Sequence, residues 1–491
     1  MENSEKRDSY SHILKYTGIF GGIQGLNILV GIVRNKFAAV LLGTAGMGLS
    51  SLFASTINMV TSATNMGIPT SGVQEIASEY ALGPEQVSHS VKMIRSWSLI
   101  AALLGMVLCI CFSPLLDSLA FSEAGKHILH FVLLSPVVAF TIVVGGETAV
   151  LKATRQLKAL AFSSLCIMVS SLIIAVPIYY FWRMDGIVAV LILQALVQML
   201  IVVFYSIRYY PYIVSWSPQF LFGGIKVVKL GGAFVIAGLL GAGAEFMIRA
   251  FISSKGNLGE VGLFNAGWTL VVVYAGLVFS SMEADYYPRL STIINNVREQ
   301  NDCVNKQLEV NVLLIGPILT IMILLLPILI PLLYDHRFIR ILGMAQLAAV
   351  SMLFRAIYIP IEYLPLSKGQ SKIYLVQEAF CVLLLIFMEI LGYEHFGLLG
   401  LGLGILLAYF VETLCVIVYS HFCYHYTLSR RGIIYSVLQL VFLGASLAVS
   451  FTDLPRLGYW TIAILLIVIH LLIIFLLLRK NTDVLAKWPI G

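Results

Sequence analysis

The chain has 491 residues, 59% of them hydrophobic and only 11% charged, against roughly a quarter charged in an ordinary soluble domain. With a mean hydropathy of +0.93 sustained along its length, no water-soluble fold could hide its apolar surface, so the bilayer is its solvent. A net charge of +6 is too small to argue for a nucleic-acid partner, and the basic residues are to be explained first by membrane topology.

Apolar runs long enough to cross ~30 Å of hydrocarbon recur between short polar breaks. In chain order they fall near 14 to 33, 45 to 66, 96 to 116, 128 to 150, 159 to 181, 186 to 207, 229 to 252, 261 to 284, 311 to 334, 341 to 363, 374 to 392, 398 to 420, 433 to 451 and 458 to 478. The expected fold class is therefore an all-α polytopic membrane protein with about fourteen transmembrane helices. The first run has full spanning length and no small-residue cleavage site, so it is expected to remain as a helix. Its glycines Gly18, Gly21, Gly22 and Gly25 share one face and suit close packing on a neighbour.

Alternating the loops places 21 Lys and Arg residues on the side of the termini and 8 on the opposite side, with Arg249 and Arg355 inside spans. The positive-inside rule then makes both termini cytoplasmic. The longest connections, near 67 to 95, 208 to 228 and 285 to 310, fall on that side. The outer loops are a handful of residues each, whereas an enzyme acting on extracytoplasmic sugars commonly needs an outer loop with acidic catalytic groups; the chain is expected not to be an enzyme, with a membrane-embedded glycan polymerase or acyltransferase as the less favoured alternative.

An internal repeat divides the chain. Arg34 is followed by Leu42, Gly43 and Gly46, a helix and Pro69; Arg249 is followed by Leu258, Gly259 and Gly262, a helix and Pro288. Six crossings separate the copies, so two lobes of like orientation are expected, with substrate bound at their interface. The domains are then an N-terminal lobe at 1–208, a connector at 209–228, a C-terminal lobe at 229–420, and an extra helix pair with its tail at 421–491.

The seven cysteines show no CxxC pair and read as small hydrophobes. His127 and His130 have no further ligand nearby, and a metal site is not expected. A charge inside a low-dielectric span is costly and so a candidate for function, and arginine, whose planar fork spans two oxygens of an anion, is the residue to notice. Arg249 is the strongest candidate; the competing reading is a salt bridge with Glu245, four residues earlier on the same helix face. Arg34 either faces a cavity or snorkels to the outer interface. Arg355, with Glu362 seven residues on, is either a cargo contact or one half of a buried pair. Lys152 and Arg155, with Lys158, follow the fourth span and suit either anionic headgroups or the docking of an anionic substrate. Among the acids, Glu378, Glu147 and Glu412 are candidates for ion coupling, Glu378 first, with structural pairing as the alternative.

The segments VRNKFAAVLLGTAGMGL (33 to 49), ETAVLKATRQLKALAFSS (147 to 164) and MIRAFISSKGNLGEVGLFNA (247 to 266), with YYPRLS (286 to 291), resemble the Wzx flippases of O-antigen and enterobacterial common antigen. These are polysaccharide transporters of the multidrug/oligosaccharidyl-lipid/polysaccharide (MOP) exporter superfamily. The resemblance implies a MATE-like MOP fold of two six-helix lobes plus a C-terminal pair. It also implies alternating-access transport of an undecaprenyl-diphosphate-linked oligosaccharide from the cytoplasmic to the periplasmic leaflet of the bacterial inner membrane. By the same resemblance Arg34 or Lys36, Arg249, Lys152 and Arg155 match basic family positions and Glu378 an acidic one. No cofactor is implied beyond H⁺ or Na⁺ coupling. Partners would be the lipid-linked oligosaccharide, membrane lipids and the polysaccharide polymerase or export machinery. The alternatives are a multidrug exporter or a peptidoglycan-precursor exporter of the same superfamily.

Overall fold

The computed structural model describes residues 2–79, 83–123, 125–293, 296–452 and 455–481. These form helices joined by short connections, and no strand occurs among the described residues. By internal contacts the chain forms two compact units: residues 1–262 with 333–335, and residues 263–332 with 336–491. That division leaves Arg249 in the first unit.

The first unit begins with α1 (Glu2–Thr64), which turns sharply at Gly43, where φ is +69°. A Cβ would be strained there, so glycine lets one continuous helical run change direction. Arg34 and Lys36 were expected in a loop between two spans, but the helix continues through them to the kink. Arg34 therefore stands nine residues, or about 14 Å along the axis, before the bend. The glycine face at Gly18, Gly21, Gly22 and Gly25 belongs to the part of α1 whose side chains lie outside the described residues.

After α2 (Ile68–Glu79), Pro84 opens α3 (Pro84–Cys111). Proline suits a first helical position because its missing N–H would have no intrahelical partner there. The expected span at 96 to 116 is thus shifted: α3 starts twelve residues earlier, and the helix breaks at Phe112 before α4 (Ser113–Ala120). Val87, Val91 and Ile94 bury the face of the early turns. The long connection expected near 67 to 95 is consequently mostly helical. α5 (Ile128–Ala153), α6 (Leu157–Trp182), α7 (Ile187–Ile207), α8 (Pro218–Gly223) and α9 (Ile225–Lys255) complete this unit. Its core gathers Leu52, Phe53, Ile94, Phe131 and Leu134, with Phe53 edge-on to Phe131 at 5.4 Å.

The two glycine-bearing segments of the repeat touch. A Cβ on Gly48 would strike the Leu258 carbonyl, and one on Gly262 would strike the Thr44 carbonyl. Only glycine permits backbones to approach this closely.

The second unit holds most of α10 (Leu258–Thr292), α11 (Val297–Leu333), α12 (Leu342–Ser367), α13 (Ser371–Tyr424), α14 (Arg430–Phe451) and α15 (Arg456–Asn481). α11 begins within the connection expected near 285 to 310 and converts it to helix. α13 breaks at Gly397, φ +58°, into two arms. The Tyr286 hydroxyl donates to the Pro360 carbonyl at 2.6 Å and ties α10 to α12.

The last two helices are fastened to α11. His470 of α15 is fully buried; its Nδ1 is 2.9 Å from Thr320 Oγ1 of α11 and its Nε2 is 2.7 Å from Gln439 Oε1 of α14. Phe442 stacks on the imidazole at 4.0 Å. At the other end of α14, Asn305 donates to the Thr427 carbonyl at 2.9 Å and accepts from the Ser429 N–H at 3.0 Å. Ser429 then caps α14 by accepting from the Gly432 N–H.

Ten helices among the described residues are long and apolar enough to cross a membrane. Two of those stretches contain a sharp glycine break, at Gly43 and Gly397, and a third, Leu157–Ile207, joins α6 to α7 through a 3₁₀ turn.

Candidate functional site

The ionisable groups inside the apolar helices sort by how completely they are paired. In the first unit, Arg95 is 1% and Glu147 is 2% exposed. Arg95 Nε donates to Glu147 Oε1 at 2.8 Å, and its Nη2 donates to Glu147 Oε2 and to Ser206 Oγ, each at 3.0 Å. Nη1 donates to the carbonyls of Tyr210 at 3.2 Å and Pro211 at 2.6 Å. Every N–H of the guanidinium thus has an acceptor. Beside it, Ser96 Oγ accepts from the Ser215 N–H at 3.0 Å, and the Lys92 ammonium sits 4.9 Å from the Phe220 ring. The connector after α7 is therefore strapped along α3. Glu147, a sequence candidate for ion coupling, is occupied in this knot. In the sequence Arg95 is only one of the 21 basic residues on the side of the termini, because its partner lies 52 residues away and no local spacing signals it.

Arg249, 6% exposed, donates from Nη1 to the Glu245 carbonyl at 2.9 Å and to Glu245 Oε2 at 3.2 Å. The intrahelical pair anticipated from the i, i+4 spacing is present, and the Glu245 carboxylate is half-exposed. Arg34 is partly buried and faces Tyr179 of α6; Lys36 is partly buried one half-turn on. Lys152 and Arg155 are exposed at the turn between α5 and α6, where Arg155 takes a positive φ of 57°.

Where the repeat segments meet the loop after α4, a polar cavity of about 550 Å³ is lined by Thr44, Glu123, Lys126, His127 and Asn257 among others. Lys126 and Glu123 pair at its rim. Buried Asp117 accepts from the backbone N–H groups of Gly125 and His127. The His127 and His130 Nδ1 atoms are 3.1 Å apart. Burial first, then the neighbouring His130 and Lys126, hold the His127 imidazole below its usual range against the opposing pull of Asp117. No group of three or more His, Cys, Asp or Glu side chains among the described residues is placed to hold a metal ion.

The second unit carries a different arrangement. Arg355, Tyr358 and Glu362 recur at i, i+3 and i+7 on one face of α12. Facing them are Glu378 and Cys381 from the first arm of α13, and Tyr409 and Glu412 from the second. The Tyr358 hydroxyl and the Cys381 thiol donate to Glu412, and Glu362 is in hydrogen-bonding contact with Glu378. Arg355 lies within electrostatic reach of Glu362 and Glu412 and 5.4 Å from the Phe279 ring. Glu362 and Glu412 thus share one guanidinium. Arg355 Nε, Glu362 Oε1 and Glu412 Oε2 are buried with no hydrogen-bond partner among the described residues. The sequence singles out Glu378, Glu412 and the Arg355–Glu362 spacing separately; the hairpin at Gly397 brings them together, with Cys381 added.

Residues 13–294 match a family model described as polysaccharide biosynthesis protein. Among solved structures, the chain is similar to the lipid II flippase MurJ in an inward closed conformation, with TM-score 0.71 and 16% identity, covering 94% of this chain and 99% of that one. It is also similar to an inward-facing multidrug resistance MATE family transporter of the MOP superfamily, with TM-score 0.65 and 14% identity over 79% of this chain and 94% of that one. A MOP superfamily transporter from Pyrococcus furiosus, described as having a binding pocket of reverse polarity, aligns with TM-score 0.56 and 13% identity over 87% and 94% of the two chains. No curated protein matches the chain by sequence. The fold is that of MurJ and the MATE transporters, as the sequence resemblance implied, and the chain is a multi-pass membrane protein.

Proposed function

Because this chain belongs to the polysaccharide biosynthesis protein family and is folded as MurJ and the MATE transporters are, we propose that it is a flippase for an undecaprenyl-diphosphate-linked oligosaccharide. It is a transporter rather than an enzyme. The cargo is an O-antigen or other polysaccharide repeat unit, carried by alternating access from the cytoplasmic to the periplasmic leaflet of the bacterial inner membrane, with both termini cytoplasmic. The observation that carries this reading is the match of more than half of the chain to a polysaccharide-biosynthesis family on a transporter fold.

Arg249 remains the first candidate for the diphosphate. Its partner carboxylate is half-exposed, so that pair can be exchanged for a phosphate at little cost. Arg34 and Lys36 are the next candidates, followed by Arg355. Lys152 and Arg155, exposed at a turn, suit first capture of an anionic headgroup. Glu378, together with the carboxyls of Glu362 and Glu412, each of which keeps a buried oxygen without a hydrogen-bond partner among the described residues, suits uptake and release of H⁺ or Na⁺ between two states. Glu147 is set aside from coupling on account of its complete pairing with Arg95. The carboxyls of Glu362, Glu378 and Glu412 gathered near the one guanidinium of Arg355 also favour a second reading, export of an organic cation by the same fold.

Lipid analysis separates the two. Deleting the gene should cause an undecaprenyl-diphosphate oligosaccharide to accumulate, and its headgroup identifies the cargo. Unchanged lipid-linked glycans in the deletion strain, with altered tolerance of organic cations instead, would overturn the flippase reading. Arg249→Ala should abolish complementation while membrane levels of the protein are kept; full activity would remove Arg249 from cargo binding.

A further inference from the structure

The loop between α4 and α5 places two histidines next to the end of α9. His127 precedes the first turn of α5 and His130 lies within it, and their Nδ1 atoms stand 3.1 Å apart. A hydrogen bond of that length needs one proton between the two nitrogens, so that one Nδ1 donates and the other accepts. Two neutral rings can supply it, and so can one imidazolium beside one imidazole. Two imidazoliums cannot, because each then carries a hydrogen on Nδ1 and a positive charge. The contact therefore has room for one added proton and is broken by a second. Phe121 lies against the His127 ring with centroids 4.0 Å apart, and Phe53 of α1 stands edge-on to it at 5.7 Å. Next to Phe121 is Ser122, whose hydroxyl donates to the carbonyls of Ser253 at 3.2 Å and Ser254 at 3.3 Å in the last turn of α9. Ser253 is one turn beyond Arg249 on that helix.

We propose that the His127–His130 pair is an acid-sensitive latch: it holds the α4–α5 loop on the end of α9, and a second proton on the pair releases that loop and opens the polar cavity it borders. The charged groups around the pair are few. α4 brings Asp117, fully buried, which accepts from the Gly125 and His127 N–H groups. The loop brings Lys126 and Glu123, paired with each other. From α3 the Cys109 thiol donates to the Phe131 carbonyl at 3.7 Å. Among the described residues, neither α1 nor the turn after α9 adds a charged side chain to the lining of the cavity. A second imidazolium thus sets two like charges at hydrogen-bond distance, with Lys126 as a third and buried Asp117 against them. Separating the rings relieves the repulsion and draws Phe121 and Ser122 away from α9. Burial, His130 and Lys126 already hold the His127 imidazole below its usual range, so the closed loop takes the proton less readily than the open one. The closed state is then complete above the ordinary imidazole range, and opening grows as the pH falls through it. The latch is independent of what the protein carries.

Hydrogen–deuterium exchange of the purified protein in phosphatidylcholine nanodiscs, read by peptide mass spectrometry and corrected for the intrinsic pH dependence of amide exchange, follows the latch directly. The reporters are the Gly125 and His127 amides, engaged by Asp117, and the Gly256 amide, bonded to the Ile252 carbonyl at the end of α9. Their opening should rise together by about threefold or more between about pH 8 and pH 5.5, while the histidine-free turn Arg183–Gly186 stays unchanged. His130→Gln keeps a donor and an acceptor but takes no proton, and should abolish the pH response; His127→Gln should do the same. Should neither variant fold, hydrogen exchange at the imidazole C2 position of the wild-type protein reports the pair itself, which should titrate in two separated steps. A pH response that persists in both variants would assign it to Asp117 or Glu123. That result, pH-independent opening in the wild type, or a single shared titration step of the two histidines would each overturn the proposal.

Discussion

Arg95 and Arg355 are both arginines held in apolar helices, yet their surroundings differ in one decisive respect. Arg95 has an acceptor for every N–H and a carboxylate engaged through both oxygens. Arg355 leaves Nε without a partner among the described residues and faces more carboxyls than it can neutralise. A saturated pair has no vacancy for a ligand and locks its elements together. An under-paired cluster is suited to exchange, because a proton, a metal cation or an ammonium can complete it in one state and leave it in another. Burial alone therefore does not distinguish a structural charge from a working one; the count of satisfied donors and acceptors does.

The comparison is broken most severely at Arg95. Arg95→Ala would leave a buried, unpaired Glu147 and two orphaned carbonyls, at a cost of about 3–5 kcal/mol. We expect loss of folded protein in detergent, measured by size-exclusion chromatography and thermal unfolding, with little rescue by Arg95→Lys, which lacks the planar fork. A fully stable Arg95→Ala protein would show that the strap on the connector is dispensable. Glu412→Gln should do the opposite, keeping stability within about 1 kcal/mol because it removes charge from a crowded set. Its transport should fall at least tenfold, and the dependence on a proton or sodium gradient should weaken. Unchanged gradient dependence would remove Glu412 from coupling.

His470→Leu sharpens the same contrast in a neutral network. It removes both imidazole hydrogen bonds that join α15 to α11 and α14, and should cost about 1–2 kcal/mol, read as a lower unfolding temperature. A Thr320→Val, His470→Leu double variant should lose less than the two single losses added together. The smallest effect is expected at His127. Its folded-state affinity for protons is depressed, so the unfolded chain binds a proton more readily. The contribution is then complete above the ordinary imidazole range and is lost as pH falls through it. His127→Gln should flatten the acid limb of the stability profile by a few tenths of a kcal/mol, and an unaltered acid limb would mean that His127 is not felt.

Much of the architecture was legible because the bilayer enforces it. Apolar run length marked the helices, and the i, i+4 spacing of Glu245 and Arg249 disclosed their pair. What escaped depends on separation in sequence. Arg95 meets Glu147 and the carbonyls near 210 only once α3, α5 and α7 are packed, and no periodicity connects those positions. The carboxyl cluster depends on the break at Gly397, which folds Glu378 and Glu412 onto the same face of α12. Helix limits were misjudged where polar residues continue an apolar helix, as at Arg34 and in the first turns of α3 and α11. Hydropathy reports where lipid is tolerated, whereas backbone hydrogen bonding carries a helix beyond that limit.

The central claim is that this protein carries a diphosphate-linked oligosaccharide lipid across a bilayer. Purified protein reconstituted in liposomes loaded with the lipid recovered from the deletion strain, assayed with a membrane-impermeant glycosidase or lectin, reads the leaflet directly. Inner-leaflet lipid should become accessible only in vesicles that contain the protein, and more slowly with Arg249→Ala. Accessibility equal to that of protein-free vesicles, with folded protein and an imposed proton or sodium gradient, would contradict the account.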